Sequence, residues 1–209
     1  MHPDSTFNVA NFLEPKDSII VHVNMKSDIF SNIFSKFEIN NAFSYIKEAQ
    51  KLLHLPGIYA GNGKRDVAGI TDDTDYQGIK EKRRLGKAAA KSTLDGKLLD
   101  DFVKFMPDAN EKEIITGKGD LFLDAEFRKR LDDLNRNTIL FTGFFTEIQI
   151  LRTAFSCADY GYFGVVVSDA TSTYSERIYY EALDVISQAV EVVDTRDLMR
   201  IWVQSTSHT

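Results

Sequence analysis

The sequence predicts a three-layer αβα domain on a doubly wound, mostly parallel sheet of about six strands, Rossmann-like in outline. Three observations carry this. Short, continuously apolar runs recur along the chain, as strands buried on both faces require. Between them lie segments with apolar residues at helical spacing, and right-handed crossovers turn that alternation into parallel strands with helices on both sides. The 209 residues, 43% hydrophobic and 27% charged, suffice for one large domain with a substantial core.

Ile19-Ile20-Val21-His22-Val23 is the first strand, followed by a helix with Ala42, Tyr45, Ile46, Ala49 and Leu53 inward. Pro56-Gly57 ends that helix, and Ile58-Tyr59-Ala60 reads as the second strand. Ile114-Ile115-Thr116 is the third, with Leu123, Phe127, Leu131 and Leu134 on the next helical face. Thr138 to Thr142 forms the fourth strand, broken by Gly143, after which Ile148, Leu151, Phe155 and Ala158 share a stripe. Gly164 to Val167 forms the fifth, bounded by Ser168-Asp169. A capping box of Thr173 with Glu176 opens a helix that turns Ile178, Ala182, Val185 and Ala189 inward. Val190 to Val193 closes the sheet, and Leu198 to Val203 packs as a short helix. Residues 1–209 are expected to form a single domain. The one departure from regularity is a segment of about 61–96, expected to be a lid, an oligomer contact or an excursion. Its basic stretch from Lys80 to Lys91 reads as a solvated helix face.

A net charge of -6 argues against nucleic acid as a partner and gives no reason to expect an anionic membrane. No apolar run approaches the roughly 20 residues that span a bilayer. The N-terminus lacks a basic region followed by an apolar one, and a single cysteine cannot make an internal disulfide. A cytoplasmic protein is expected. The histidines have no metal-ligand spacing, so neither metal nor other cofactor is expected.

The segment from Thr142-Gly143-Phe144-Phe145-Thr146-Glu147 through Gln149 and Arg152-Thr153-Ala154 combines a strand, a tight turn and a helix start. Backbone N–H groups there converge on one point, an arrangement suited to an anion or a developing oxyanion. Gly161 and the pair Asp169-Ala170 follow. These residues resemble the signature of the isochorismatase-like hydrolases, which include nicotinamidases and N-carbamoylsarcosine amidases. Gly143, Thr146, Glu147, Thr153, Ala154, Gly161, Asp169 and Ala170 match in register.

The resemblance implies a Cys–Asp–Lys triad, and here the sequence departs from it. The cysteine position is Gln149; the aspartate position is Asn24, with Asp28 retained four residues on; the lysine position is Lys118, or Thr116 if the following loop is not shortened. An amide neither attacks a carbonyl nor takes up a proton. Asn24, Lys118 and Gln149 are therefore the triad-equivalent candidates, and Phe144, Phe145 and Asp28 the substrate-binding ones. Gln149 also fits a T-x-x-Q capping box with Thr146. His22 reads as a core histidine, or as the acid/base, along with Asp28, if the first-strand register slips. Cys157 lies more than two helical turns past Gln149 and reads as a small buried hydrophobe. The resemblance further implies a cis peptide at Phe144-Phe145 that aims N–H groups near Phe145 and Gln149 at a ligand. The function so implied is a small-molecule-binding pseudoenzyme or, alternatively, a non-cysteine hydrolase of ethers or amides. The expected partners are a small-molecule ligand and further copies of the chain.

Overall fold

The computed structural model describes residues 9–63, 96–109 and 111–206. Strands β1 (Ser18–Val23), β2 (Gly57–Asn62), β3 (Ile114–Thr116), β4 (Thr138–Phe144), β5 (Phe163–Ser172) and β6 (Glu191–Val193) form one sheet. Their order is β3-β2-β1-β4-β5-β6, and every neighbouring pair is parallel. This is the doubly wound αβα arrangement expected from the alternation of elements.

Alternating side chains divide the core between the two faces of the sheet. Ile20, Leu140, Val165 and Val167 face one side. They pack under α1 (Ser27–Phe30), α2 (Lys36–Leu53), α3 (Gly96–Val103) and α7 (Thr195–Thr206). Ile19, Val21, Ile139, Phe141 and Val166 face the other, under α4 (Ala125–Leu134), α5 (Leu151–Ser156) and α6 (Glu176–Ile186). Helix α2 forms because Ile39, Ala42, Phe43, Ile46 and Ala49 make one buried stripe, and it ends at left-handed His54. Helix α4 starts where the Asp124 carboxylate accepts from Glu126 and Phe127 N–H.

Several element details differ from expectation. Tyr45, Leu123 and Val185, expected inward, are exposed. Gly143 lies within β4 at φ 109 rather than ending it, and β5 runs on through Ser168-Asp169 to Ser172. The Thr173–Glu176 capping box does not form: Ser175 is the N-cap of α6, and the Thr173 hydroxyl donates to Glu147. After β4 the chain makes a π-helical turn (Thr146–Ile150) before α5, and the buried face is Gln149, Ile150, Thr153, Ala154 and Cys157. Leu151 is only half-buried and Phe155 is exposed. Periodicity of large apolar residues therefore picked the wrong side of this helix, because small and polar residues occupy the side against the sheet.

The expected inserted segment begins inside β2, which includes Gly61 and Asn62, and residues 64–95 lie outside the described residues.

Candidate functional site

In a doubly wound sheet the crossovers diverge at the switch point, here between β1 and β4, and leave a crevice at their carboxyl ends. Register aligns Val23 of β1 with Gly143 of β4 there. A side chain at Gly143 would collide with the Val23 carbonyl, so only glycine allows the two backbones this approach.

Asn24 follows β1 in the left-handed conformation, φ 54, one that asparagine tolerates better than most residues, and it is fully buried. Its Oδ1 accepts the Asn62 N–H at 2.7 Å, tying it to the end of β2. Its Nδ2 donates to Gln149 Oε1 at 3.0 Å and, more weakly, to the Phe144 carbonyl at 3.4 Å. Gln149, also fully buried, donates from Nε2 to the Lys118 carbonyl at 3.1 Å. Lys118 N–H in turn donates to Thr116 Oγ1 at 3.1 Å. Below Gln149, Thr153 Oγ1 donates to the Gln149 carbonyl at 2.7 Å and accepts Leu121 N–H at 3.1 Å. The result is a buried amide network joining the carboxyl ends of β1, β2 and β3 to the turn after β4.

The three expected triad-equivalent positions thus meet, but unequally. Asn24 and Gln149 touch through their side chains. Lys118 arrives only through its main chain, and its side chain is exposed; Thr116 caps the same loop from the buried end of β3. The ammonium that reaches the crevice is that of Lys26, whose Nζ donates to the Asn62 carbonyl at 3.4 Å. The half-buried Glu113 carboxyl, which packs over Gly61, is pushed up by burial, an effect that the charge of Lys26 partly offsets. Neither Lys26 nor Glu113 carried a sequence motif. Asn62 did, weakly, within Gly61-Asn62-Gly63.

Three expectations about the turn are corrected. The Phe144-Phe145 peptide is trans, as are all peptides among the described residues. Phe145 N–H donates to the Ser172 carbonyl at 2.9 Å, so it points at β5 instead of an incoming ligand. Gln149 does not cap a helix: no side chain caps the π-helical turn, and the Thr146 hydroxyl donates to the Ser172 carbonyl at 3.2 Å. Phe144 and Phe145 are core residues. Phe144 packs among Phe30, Phe43 and Phe102, and Phe145 stands edge-on to Tyr174 at 5.3 Å. Asp28 is exposed on α1, its carbonyl accepting from Asn32.

His22 sits in mid-strand with both ring nitrogens engaged. Nε2 donates to Gln50 Oε1 at 3.2 Å, and Nδ1 accepts from Thr142 Oγ1 at 2.8 Å. Tyr59 stacks on the ring at 4.7 Å. Burial, helped by the nearby Lys47 charge, holds the imidazole down to about 3 and therefore neutral. This is a satisfied core histidine, away from the crevice. Cys157 is buried with its thiol against the Thr153 carbonyl, and burial pushes its pKa up, the reverse of an activated thiol. Among the described residues no cluster of three or more histidine, cysteine, aspartate or glutamate side chains could hold a metal. Nor is any helix there long and apolar enough to cross a membrane.

Fold order, switch-point crevice and motif define an α/β protein of the hydrolase type. The chain belongs to the isochorismatase family, whose isochorismatase domain model matches residues 18–197. Among solved structures it is similar to the YcaC gene product of Escherichia coli, an octameric hydrolase of unknown specificity. That match has 15% identity and a TM-score of 0.66, covering 100% of this chain and 87% of that one. It is similar to the MAR1 ribonuclease of Caenorhabditis elegans, with 16% identity and a TM-score of 0.64, covering 91% and 83%. It is similar too to a nicotinamidase of Bacillus subtilis, with 14% identity and a TM-score of 0.59, covering 85% and 99%. No curated protein matches the sequence.

Proposed function

We propose that this chain is a pseudoenzyme of the isochorismatase fold, with Gln149, Asn24 and Lys118 standing where the family's cysteine hydrolases keep their nucleophile, acid and lysine. The observation that carries this reading is the closed Asn24–Gln149–Lys118 carbonyl network. It offers no thiol, no carboxylate and no ammonium, and every one of its side-chain polar groups is already bonded. The two amides are complementary to each other. A carboxylate at position 24 would face the Gln149 oxygen; turning the Gln149 amide over would set that oxygen against the Lys118 carbonyl instead.

One observation favours a second reading, hydrolysis without cysteine. The Glu113 carboxyl is raised by burial, which favours the protonated form a general acid needs, while the charge of Lys26 works against it. The deciding experiment assays purified protein against nicotinamide, an enol ether and an RNA oligonucleotide, the last because one structural neighbour is a ribonuclease. The pseudoenzyme reading expects no turnover above buffer on any of them. Turnover abolished by Glu113→Gln would replace it with the hydrolase reading. The octameric relative supports a homo-oligomer, and light scattering on the purified chain tests it.

A further inference from the structure

A groove of about 570 Å³, separate from the Asn24–Gln149 network, is lined by residues of β5, α2 and α6 and by Asp194 after β6. Its volume is in the range of small-molecule sites. It lies where the β4–β5 pairing is interrupted, since Phe141 pairs with Val166 but Gly143 with Thr171. The extra residues of β5 bulge out and bring Ser168 and Asp169 to the groove wall, a device often found next to binding sites.

The lining has a consistent chemistry. Phe34, Tyr179 and Tyr180 supply aromatic surface: the Phe34 and Tyr179 rings lie 5.2 Å apart and tilted, and Tyr179 and Tyr180 meet edge to face. The Tyr179 hydroxyl donates to the Ser168 carbonyl, and burial pushes its pKa up, so it stays neutral. Four carboxylates also line the groove, and they are not equivalent. Asp169 accepts both the N–H and the hydroxyl of Thr195. Asp194 accepts Asp197 N–H at 2.7 Å and lies 3.9 Å from Arg196. Glu38 and Glu176, on opposite sides at the starts of α2 and α6, have no hydrogen bond or ion pair among the described residues. No lysine or arginine is among the lining residues described.

We propose that this groove binds a small organic cation, an ammonium carried on a flat or compact apolar body. Ring faces attract a cation through their quadrupole, and the two uncommitted glutamates neutralise its charge from either side. An anionic ligand meets only like charge there, and a neutral one gains the aromatic contact alone. The site shares no residue with the Asn24–Gln149 network, so its test and that of the pseudoenzyme reading are independent.

The probe is benzyltrimethylammonium, titrated by calorimetry into the full chain, with benzyl alcohol and benzoate as neutral and anionic counterparts. The expected result is saturable binding of the cation at millimolar concentration or below, with neither counterpart saturating. Tyr180→Ala and Glu176→Gln, both at exposed positions, should each weaken binding by roughly tenfold while the melting temperature stays near that of the parent. Absence of saturable cation binding, equal binding of benzoate, or binding unchanged in both variants would each overturn the proposal.

Discussion

Two buried polar clusters meet at β1, one within it at His22 and one just past its end at Asn24, and only one of them can titrate. At His22 the cluster is a ring held between Thr142 and Gln50, neutral because burial disfavours its charged form. At Asn24 it is a chain of amides and carbonyls with no ionisable side chain. Both are fully bonded, as buried polar groups must be. The difference teaches that a buried polar cluster can stay neutral at every pH when its side chains are matched as donor and acceptor, their mutual hydrogen bonds offsetting the desolvation of the amides. Asn24 and Gln149 are matched in that way.

The variant that should damage both clusters at once is Gly143→Ala. It forces β4 away from the Val23 carbonyl, and it places a side chain at φ 109. The expected loss is on the order of 3–5 kcal/mol, seen as insoluble expression or a collapse of the denaturant midpoint. A soluble variant melting within a few degrees of the parent would mean that the strands are not so close.

Asn24→Asp separates the clusters by their response to pH. The carboxylate would be buried against the Gln149 oxygen, so folding raises its pKa. Such a group costs nothing while protonated, and its cost grows as pH climbs past the ordinary aspartate value of about 3.9. Destabilisation of about 3 kcal/mol is expected at neutral pH, shrinking toward pH 4, in chemical denaturation series. A variant equally destabilised at both pH values would point to lost shape rather than buried charge.

For His22 the slope runs the other way. Its folded pKa, about 3, lies below its ordinary 6.5, so the unfolded chain binds more protons between these values. Stability therefore falls as pH drops through that window, with a slope of about 1.4 kcal/mol per pH unit well inside it. His22→Gln should flatten this part of the profile. An unchanged acid slope in that variant would assign it to other groups.

The strand runs were legible in the sequence because a parallel sheet covered on both faces requires continuous apolar residues, as in Ile19 to Val23 and Val165 to Val167. The meeting of positions 24 and 149 was expected only through the resemblance to the family, which assigns both to its triad. What stayed hidden depended on geometry that no local pattern encodes. The π-helical turn at Thr146–Ile150 sends the Gln149 side chain across to Asn24 rather than back to a helix start. The buried face of α5 carries Thr153 and Ala154, which an apolar stripe does not reveal. Lys118 could be placed in the loop after β3, but the direction of its side chain could not.

That direction gives the smallest expected effect and the closest test of the network. The contact to Gln149 comes from the Lys118 carbonyl, which every residue has, and the ammonium is exposed. Lys118→Ala should change stability by no more than about 0.5 kcal/mol. Gln149→Leu, by contrast, strands the Asn24 amide in the interior, takes the Gln149 donor from the Lys118 carbonyl and should cost about 2–3 kcal/mol. Combining the two isolates the side chain's role. If the ammonium takes no part, the losses add, and the coupling in a double-mutant cycle stays within about 0.5 kcal/mol. A coupling above about 1 kcal/mol would place the lysine side chain in contact with Gln149 and reopen the question of a charged group in this crevice.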